Sequence, residues 1–156
     1  MESLMTHGIH HLGYVYADVD KAIDDLRSLY DIESFARYDF APQYAWYKGE
    51  PVEGFSLNIG MLQVGGGCTM ELIQPPMNVK SHFRDFLESG KKGLHHVCFS
   101  TDKFTQWRDY LDELGREVLF QVQTEDDKIG FRRGAFFFDP VQHIICEIRE
   151  IPHFRK

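Results

Sequence analysis

Residues 8–15 read GIHHLGYV, and residues 93–100 read GLHHVCFS. Both stretches hold a glycine, an aliphatic residue, two histidines and an apolar run, at an offset of 85 residues. A second pair also recurs: TMELI around Glu71 and ICEIR around Glu147, at an offset of 76. Such self-similarity is weighed first, because a missed repeat mis-assigns the fold. Each half supplies a histidine near its start and a glutamate near its end, inside apolar, strand-like runs. An ionised carboxylate in such a run is costly unless something positive sits beside it. His11, Glu71, His96 and Glu147 brought together would make a divalent-metal site.

Between these landmarks both halves follow one order. Residues 8–16 read as a strand rich in β-branched and aromatic types. Asp18 is placed to cap a helix over 19–30, where Val19, Ala22, Ile23, Leu26, Leu29 and Tyr30 fall on one face. A strand over 34–40, a polar and aromatic loop over 41–53, a strand over 54–62, a Gly65–Gly67 turn and a strand over 68–74 complete the half. Pro75 and Pro76 end it, and residues 79–89 read as a short connecting helix. The second half repeats the series. A strand spans 93–100, and Asp102 caps a helix that Gly115 stops. Strands follow near 117–123, 131–138 and 143–149, with Asp139-Pro140 making the last turn. The expected architecture is α+β, a single domain over 1–156. Repeat 8–74 and repeat 93–149 are joined by a short helical connector at 75–92.

With 156 residues, 43% of them hydrophobic, the chain suffices for one packed core. The net charge of −7 and the lack of a long basic run argue against nucleic acid and anionic membrane surfaces as partners. No apolar stretch approaches a membrane span. The start, MESLMTHGIHH, lacks the basic-then-apolar order of a secretory signal. Cys68, Cys98 and Cys146 are widely spaced in apolar runs, which suits reduced thiols in a cytoplasmic protein.

Side chains alternate across a strand. His11 therefore shares a face with Ile9 and Gly13, and His96 with Leu94 and Cys98. His10 and His95 point the other way and are read as structural. Pairing of the two units about a pseudo-twofold axis would bring His11 to His96 and Glu71 to Glu147. That leaves room for one or two waters or substrate oxygens, the open coordination of a catalytic site. Cys98 reads as a buried core residue. The Gly65–Gly67 run lacks the lysine and Ser/Thr of a phosphate loop and reads as a hairpin turn. His7, His82, His143 and His153 have no context that singles them out.

On these residues the sequence resembles the vicinal oxygen chelate superfamily, the group of glyoxalase I, methylmalonyl-CoA epimerase, extradiol dioxygenases and bleomycin-resistance proteins. The resemblance spans roughly residues 8–149. It rests on HHLG with His11, MELIQP with Glu71, GLHHVCF with His96 and ICEI with Glu147, and it looks most like the methylmalonyl-CoA epimerases and glyoxalases. It implies a glyoxalase-like curved sheet around one divalent ion (Zn, Ni, Co, Mn or Fe) and a homodimer. The turn DPVQH departs from the family's DPDGN-type and HPKS-type segments.

The same resemblance implies an isomerase or epimerase that removes a proton next to a metal-chelated carbonyl of an acyl thioester or similar oxygen-bearing substrate. Glu147 is the first candidate base and Glu71 the second. Epimerases of the family place a further glutamate on a hairpin, and Glu53 best fits that role here, with Glu50 behind it. The aromatic segment 38–47 and Phe55 would wall a pocket for an apolar acyl or ring group, with Tyr44, Trp46 and Phe55 as contacts. Arg132 and Arg133 would reach an anionic substrate group, such as a carboxylate or the phosphate of a CoA thioester. Two alternatives stay open: a binding protein of the same fold that sequesters an aromatic metabolite, and an Fe(II) extradiol-type dioxygenase, which the fourth ligand opposes.

Overall fold

Two βαβββ series lie side by side in one curved sheet. The computed structural model describes residues 7–126, 128, 130–140 and 144–154. The first half runs β1 (Ile9–Val15), α1 (Val19–Arg27), β2 (Ile32–Phe40), a hairpin of β3 (Tyr44–Tyr47) and β4 (Glu50–Pro51), β5 (Leu57–Val64) and β6 (Cys68–Gln74). Helix α2 (His82–Glu88) connects to β7 (Gly93–Thr101), α3 (Phe104–Glu113), β8 (Val118–Asp126), β9 (Phe131–Phe138), β10 (Ile145–Glu150) and the short β11 (His153–Phe154). The strand order is β2-β5-β6-β1-β7-β10-β9-β8-β3-β4, with β11 on β9.

The centre of the sheet carries the symmetry. β1 and β7 are antiparallel, with Leu12 opposite Val97, His11 opposite Cys98 and Gly13 opposite His96. At the offset of 85, Leu12 and Val97 are each other's repeat mates, so the pseudo-twofold axis passes between them. β6 flanks β1 in parallel and β10 flanks β7 in parallel, with Gly13 beside Glu71 and Cys98 beside Glu147.

The core follows the same plan. α1 buries Val19, Ala22 and Ile23 against Leu62 and Leu72, while α3 buries Phe104 and Leu111 against Phe136 and Ile148. Each such side chain stabilises by about 1.5–3 kcal/mol. Asp18 caps α1 by accepting a hydrogen bond from the Lys21 N–H at 2.9 Å. A third cluster, with Phe55, Phe83, Phe120 and Phe137, lines the concave side of the sheet.

Three expectations need correction. Residues 41–53 do not form a loop. β3 pairs with β8 of the opposite half, with Tyr44 opposite Gln123 and Tyr47 opposite Phe120. The exposed edge of β8 offers unpaired backbone groups, and YAWY satisfies them with Ala45 turned inward. Lys48 and Gly49, both at positive φ, turn the chain back into β4. Asp102 does not cap α3. Lys103 holds the cap position without a side-chain cap, and Thr101 Oγ1 accepts from the Lys103 N–H instead. The strand expected over 143–149 is β10, which starts at Ile145, and His143 lies outside the described residues. No helix among the described residues is long and apolar enough to cross a membrane.

Candidate metal centre

Two rows of side chains cross the middle of the sheet. One runs from Phe137 through Glu147 and Cys98 to His11, the other from Met61 through Glu71 and Gly13 to His96. The axis between Leu12 and Val97 exchanges them. In each row a small residue separates the glutamate from the histidine, so both long side chains lean over it. Gly13 is needed for this: a Cβ there would lie 2.0 Å from Cε1 and Nε2 of His96.

The four side chains converge. His11 Nε2 lies 3.1 Å from Oε2 of Glu71 and 3.1 Å from Oε2 of Glu147. His96 Nε2 lies 3.1 Å from Glu147 Oε2 and 3.7 Å from Glu71 Oε2. The two Nε2 atoms are 3.4 Å apart. A tetrahedral ion with bonds of about 2.1 Å needs ligand atoms about 3.4 Å from one another, so these donors are already spaced for one. His11, His96 and Glu147 are buried and Glu71 partly so.

Electrostatics fit the same reading. Burial opposes a charged His11, but the Glu71 carboxylate and hydrogen bonds to Cys98, Glu147 and Glu71 override it and raise its pKa. His96 is raised against burial by hydrogen bonds to Glu147 and Glu71. Burial would raise both glutamates, yet the facing imidazoles hold Glu71 and Glu147 low. Protonated imidazoles would supply the positive charge that the two carboxylates require, both facing Glu147 Oε2 at 3.1 Å. A divalent cation carries the same charge as those two protons and would displace them.

Behind the candidate ligands stands a second pair of histidines. His10 Nδ1 lies 2.8 Å from His11 Nδ1, and His95 Nδ1 lies 3.1 Å from His96 Nδ1. His11 and His96 thus each have the outer nitrogen held by the residue before it. Burial, then the Arg149 charge, lowers His10 to about 4; burial, then the His96 charge, lowers His95 to about 3. His95 packs against Phe83 and Phe86 of α2 and against His82, whose pKa burial also lowers. On the other side, an Arg149 Nη1 group meets Nε2 of His10.

Glu71 and Glu147 open onto a cavity in the concave face of the sheet, walled by Phe40, Phe55, Leu57, Ile59, Phe83 and Phe137. Tyr38, Gln123, Thr124 and Arg133 supply its polar groups. Burial, then the Glu71 charge, raises the Tyr38 phenol, so it stays protonated at neutral pH.

Residues 10–131 match the family model described as the Glyoxalase/Bleomycin resistance protein/Dioxygenase superfamily. The chain belongs to this superfamily. The sheet has its open, curved α+β form. Among solved structures, this superfamily member is similar to methylmalonyl-CoA epimerase from Mycobacterium tuberculosis, at 16% identity, a TM-score of 0.61 and coverage of 96% of this chain and 91% of that one. A mutant 4-hydroxymandelate synthase from Streptomyces coelicolor gives 13% identity and a TM-score of 0.60, over 95% of this chain and 49% of that one. A glyoxalase I mutant from Zea mays gives 17% and 0.53, over 92% and 43%. At these identities the likeness speaks for the fold. No curated protein matches the sequence significantly.

The remaining expected site residues divide. Phe55 and Arg133 line the cavity beside Glu71 and Glu147. Tyr44, Trp46 and Glu53 line a different, more open cleft under the β3–β4 hairpin, and Glu50 is exposed on β4. The pairing of β3 with β8 carries them there. Arg132 faces away and pairs with the buried Glu150 at 3.5 Å. Of the expected aromatic wall over 38–47, Tyr38 and Phe40 line the cavity. Gly13, Arg149 and the histidines His10, His82 and His95 were not expected in the site. One available signal was the small residue two positions after each ligand histidine, Gly13 and Cys98.

Proposed function

We propose that this protein is a metal-dependent isomerase or epimerase that moves a proton at the carbon next to a carbonyl of a small oxygen-bearing substrate, an acyl thioester being one such class. The observation that carries this reading is the orientation of the site: both carboxylates face the cavity and both imidazoles stand behind them. His11, Glu71, His96 and Glu147 would hold the ion. A divalent cation bound there supplies a Lewis acid that makes the C–H beside a carbonyl more acidic.

The chain's own residues do the rest. Phe55, Phe83 and Phe137 exclude water, which strengthens every charge interaction inside the cavity. Glu147 accepts the proton at a carboxylate oxygen, and returning it to the other face or to the adjacent carbon completes an epimerisation or an isomerisation. For delivery to the opposite face from Glu71, that carboxylate must first take a proton from solvent, while Glu147 releases the one it accepted. The Tyr38 hydroxyl, protonated at neutral pH, donates a hydrogen bond to a substrate oxygen.

The test is solvent exchange. Metal-loaded protein in D₂O is incubated with 2-oxo thioesters, hemithioacetals and 2-substituted acyl-CoAs, and deuterium at the activated carbon is read by mass spectrometry. Incorporation that Glu147→Gln abolishes supports the reading. No incorporation into any of the three classes by metal-loaded protein would refute it, and tight binding of an aromatic metabolite that survives EDTA would favour sequestration instead.

A further inference from the structure

The pseudo-twofold axis allows the cavity's two walls to be compared residue by residue. Glu71 lies opposite Met61 and Glu147 opposite Phe137, so β5–β6 and β9–β10 superpose at one offset of 76. The mates of Leu57, Ile59 and Ile73 are then Arg133, Ala135 and Arg149. On the β2 and β8 strands, Phe40 matches Thr124 and Tyr38 matches Val122, by their pairing to β5 and β9. One wall is apolar apart from the Tyr38 hydroxyl; the equivalent positions carry two guanidiniums, of which Arg133 lines the cavity and Arg149 lies close enough for its charge to act on Arg133. A duplicated scaffold has been polarised at matched positions.

Neither guanidinium is neutralised. Arg133 lines the cavity, half-buried, and has no ion pair or hydrogen bond among the described residues. Its neighbour Arg132, on the other face of β9, is paired with Glu150. Arg149 has its Nε buried without a partner, and its Nη1 meets the His10 imidazole, which brings no negative charge. It sits opposite Ala135, on the same face of β10 as Glu147, and its charge presses on that of Arg133. Half-buried arginines are ordinarily paired, because an uncompensated charge away from water is costly. The two acidic groups nearest them, Glu71 and Glu147, are already engaged by His11 and His96. In a chain of net charge −7, a spare cationic pair beside the reactive carboxylates is a placed feature.

We infer that the substrate is an amphipathic oxyanion. Its carboxylate is received by Arg133 and Arg149 of the second half, and its apolar end lies against Leu57, Ile59 and Ile73 of the first. The guanidinium fork suits a carboxylate's two oxygens. This orientation also breaks the symmetry of the site, so Glu71 and Glu147 meet different ends of the substrate. The inference rests on the cavity being the substrate site of the proposed reaction, but not on the reaction itself.

Phenylacetate and phenylacetamide are matched in shape and differ in charge, so their affinities isolate the anion site. Binding is measured by calorimetry on wild type, on Arg133→Leu and on Arg149→Ile, each variant copying the mate residue already tolerated in the other wall. Each protein is tested with its metal and after EDTA, and its metal content is measured alongside. Wild type should prefer the carboxylate by about tenfold or more, with or without metal. Arg133→Leu should abolish that preference without changing metal content, and Arg149→Ile should reduce the preference several-fold. No preference in wild type overturns the inference, as does a preference that Arg133→Leu leaves intact. A preference that EDTA removes also overturns it, since the carboxylate then sits on the ion and the metal site stands. Retained preference in a protein that never binds metal upholds the anion site and counts against the metal-dependent reading.

Discussion

Gly13 makes room for His96. The two lie opposite each other on β1 and β7, and a Cβ on Gly13 would fall within 2.4 Å of three atoms of the imidazole ring. Its repeat mate, Cys98, has the same place beside His11 and is itself fully buried. One half thus gives up a side chain so that the other half's ligand can reach the axis.

Gly13→Ala should therefore displace His96 while leaving the sheet paired. The expected result is a folded protein, destabilised by about 1–3 kcal/mol in chemical denaturation from overpacking, with metal binding greatly weakened. Unchanged metal affinity in this variant would mean that His96 is not held where the site needs it.

The histidines behind the ligands give a second expectation. An acceptor at Nδ1 fixes the ligand's tautomer and turns its Nε2 lone pair inward. His95→Leu removes that acceptor and should lower cobalt affinity by roughly tenfold to a hundredfold. His95→Asn, whose Oδ1 can accept the same proton, should recover most of it. His10→Leu, at an exposed position, is the companion least exposed to folding loss. Chelator competition reads all three, and equal affinities for His95→Leu and His95→Asn would assign His95 to packing alone.

Buried neutral histidines also set an acid limit. His95 and His82 have lowered pKa values because burial disfavours their charged forms. The unfolded chain therefore binds more protons than the folded chain below the ordinary value of 6.5. Their contribution to stability is complete above that pH and is lost as pH falls toward about 3. Denaturation midpoints between pH 7 and pH 4 should fall steadily, and less steeply in His95→Asn.

At the far side of the sheet, a Cβ on Gly134 would meet Phe104 Cζ at 2.8 Å. Gly134→Ala should push α3 off β9 and cost about 1–3 kcal/mol, read from urea unfolding, without changing metal content.

The repeat was legible because the chemistry is written twice: the same histidine pair and the same glutamate, in the same apolar setting, at offsets that a twofold pairing explains. The insert at 41–53 was not legible, because what makes Tyr44–Tyr47 a strand is the open edge of β8, a partner far away in sequence. The Asp102 cap failed because the helix begins one residue later, with Lys103 at the cap position and its N–H bonded to the Thr101 hydroxyl. Strand alternation sent His10 away from the site. A register irregularity between Ile9 and His11 relaxes that rule, and its ring reaches His11 after all. Arg149 sits in an apolar run and drew no notice. Its meaning emerges only when Ile73 is recognised as its mate.

The most direct test is elemental analysis of protein purified without added metal, on wild type and on His11→Ala/His96→Ala, repeated after incubation with zinc, nickel, cobalt, manganese and ferrous iron. About one transition-metal ion per wild-type chain, with none held by the double variant, is the expected result. A wild type that binds no metal under any of these conditions, or a double variant that binds as much as wild type, would contradict a metal centre built on His11, Glu71, His96 and Glu147.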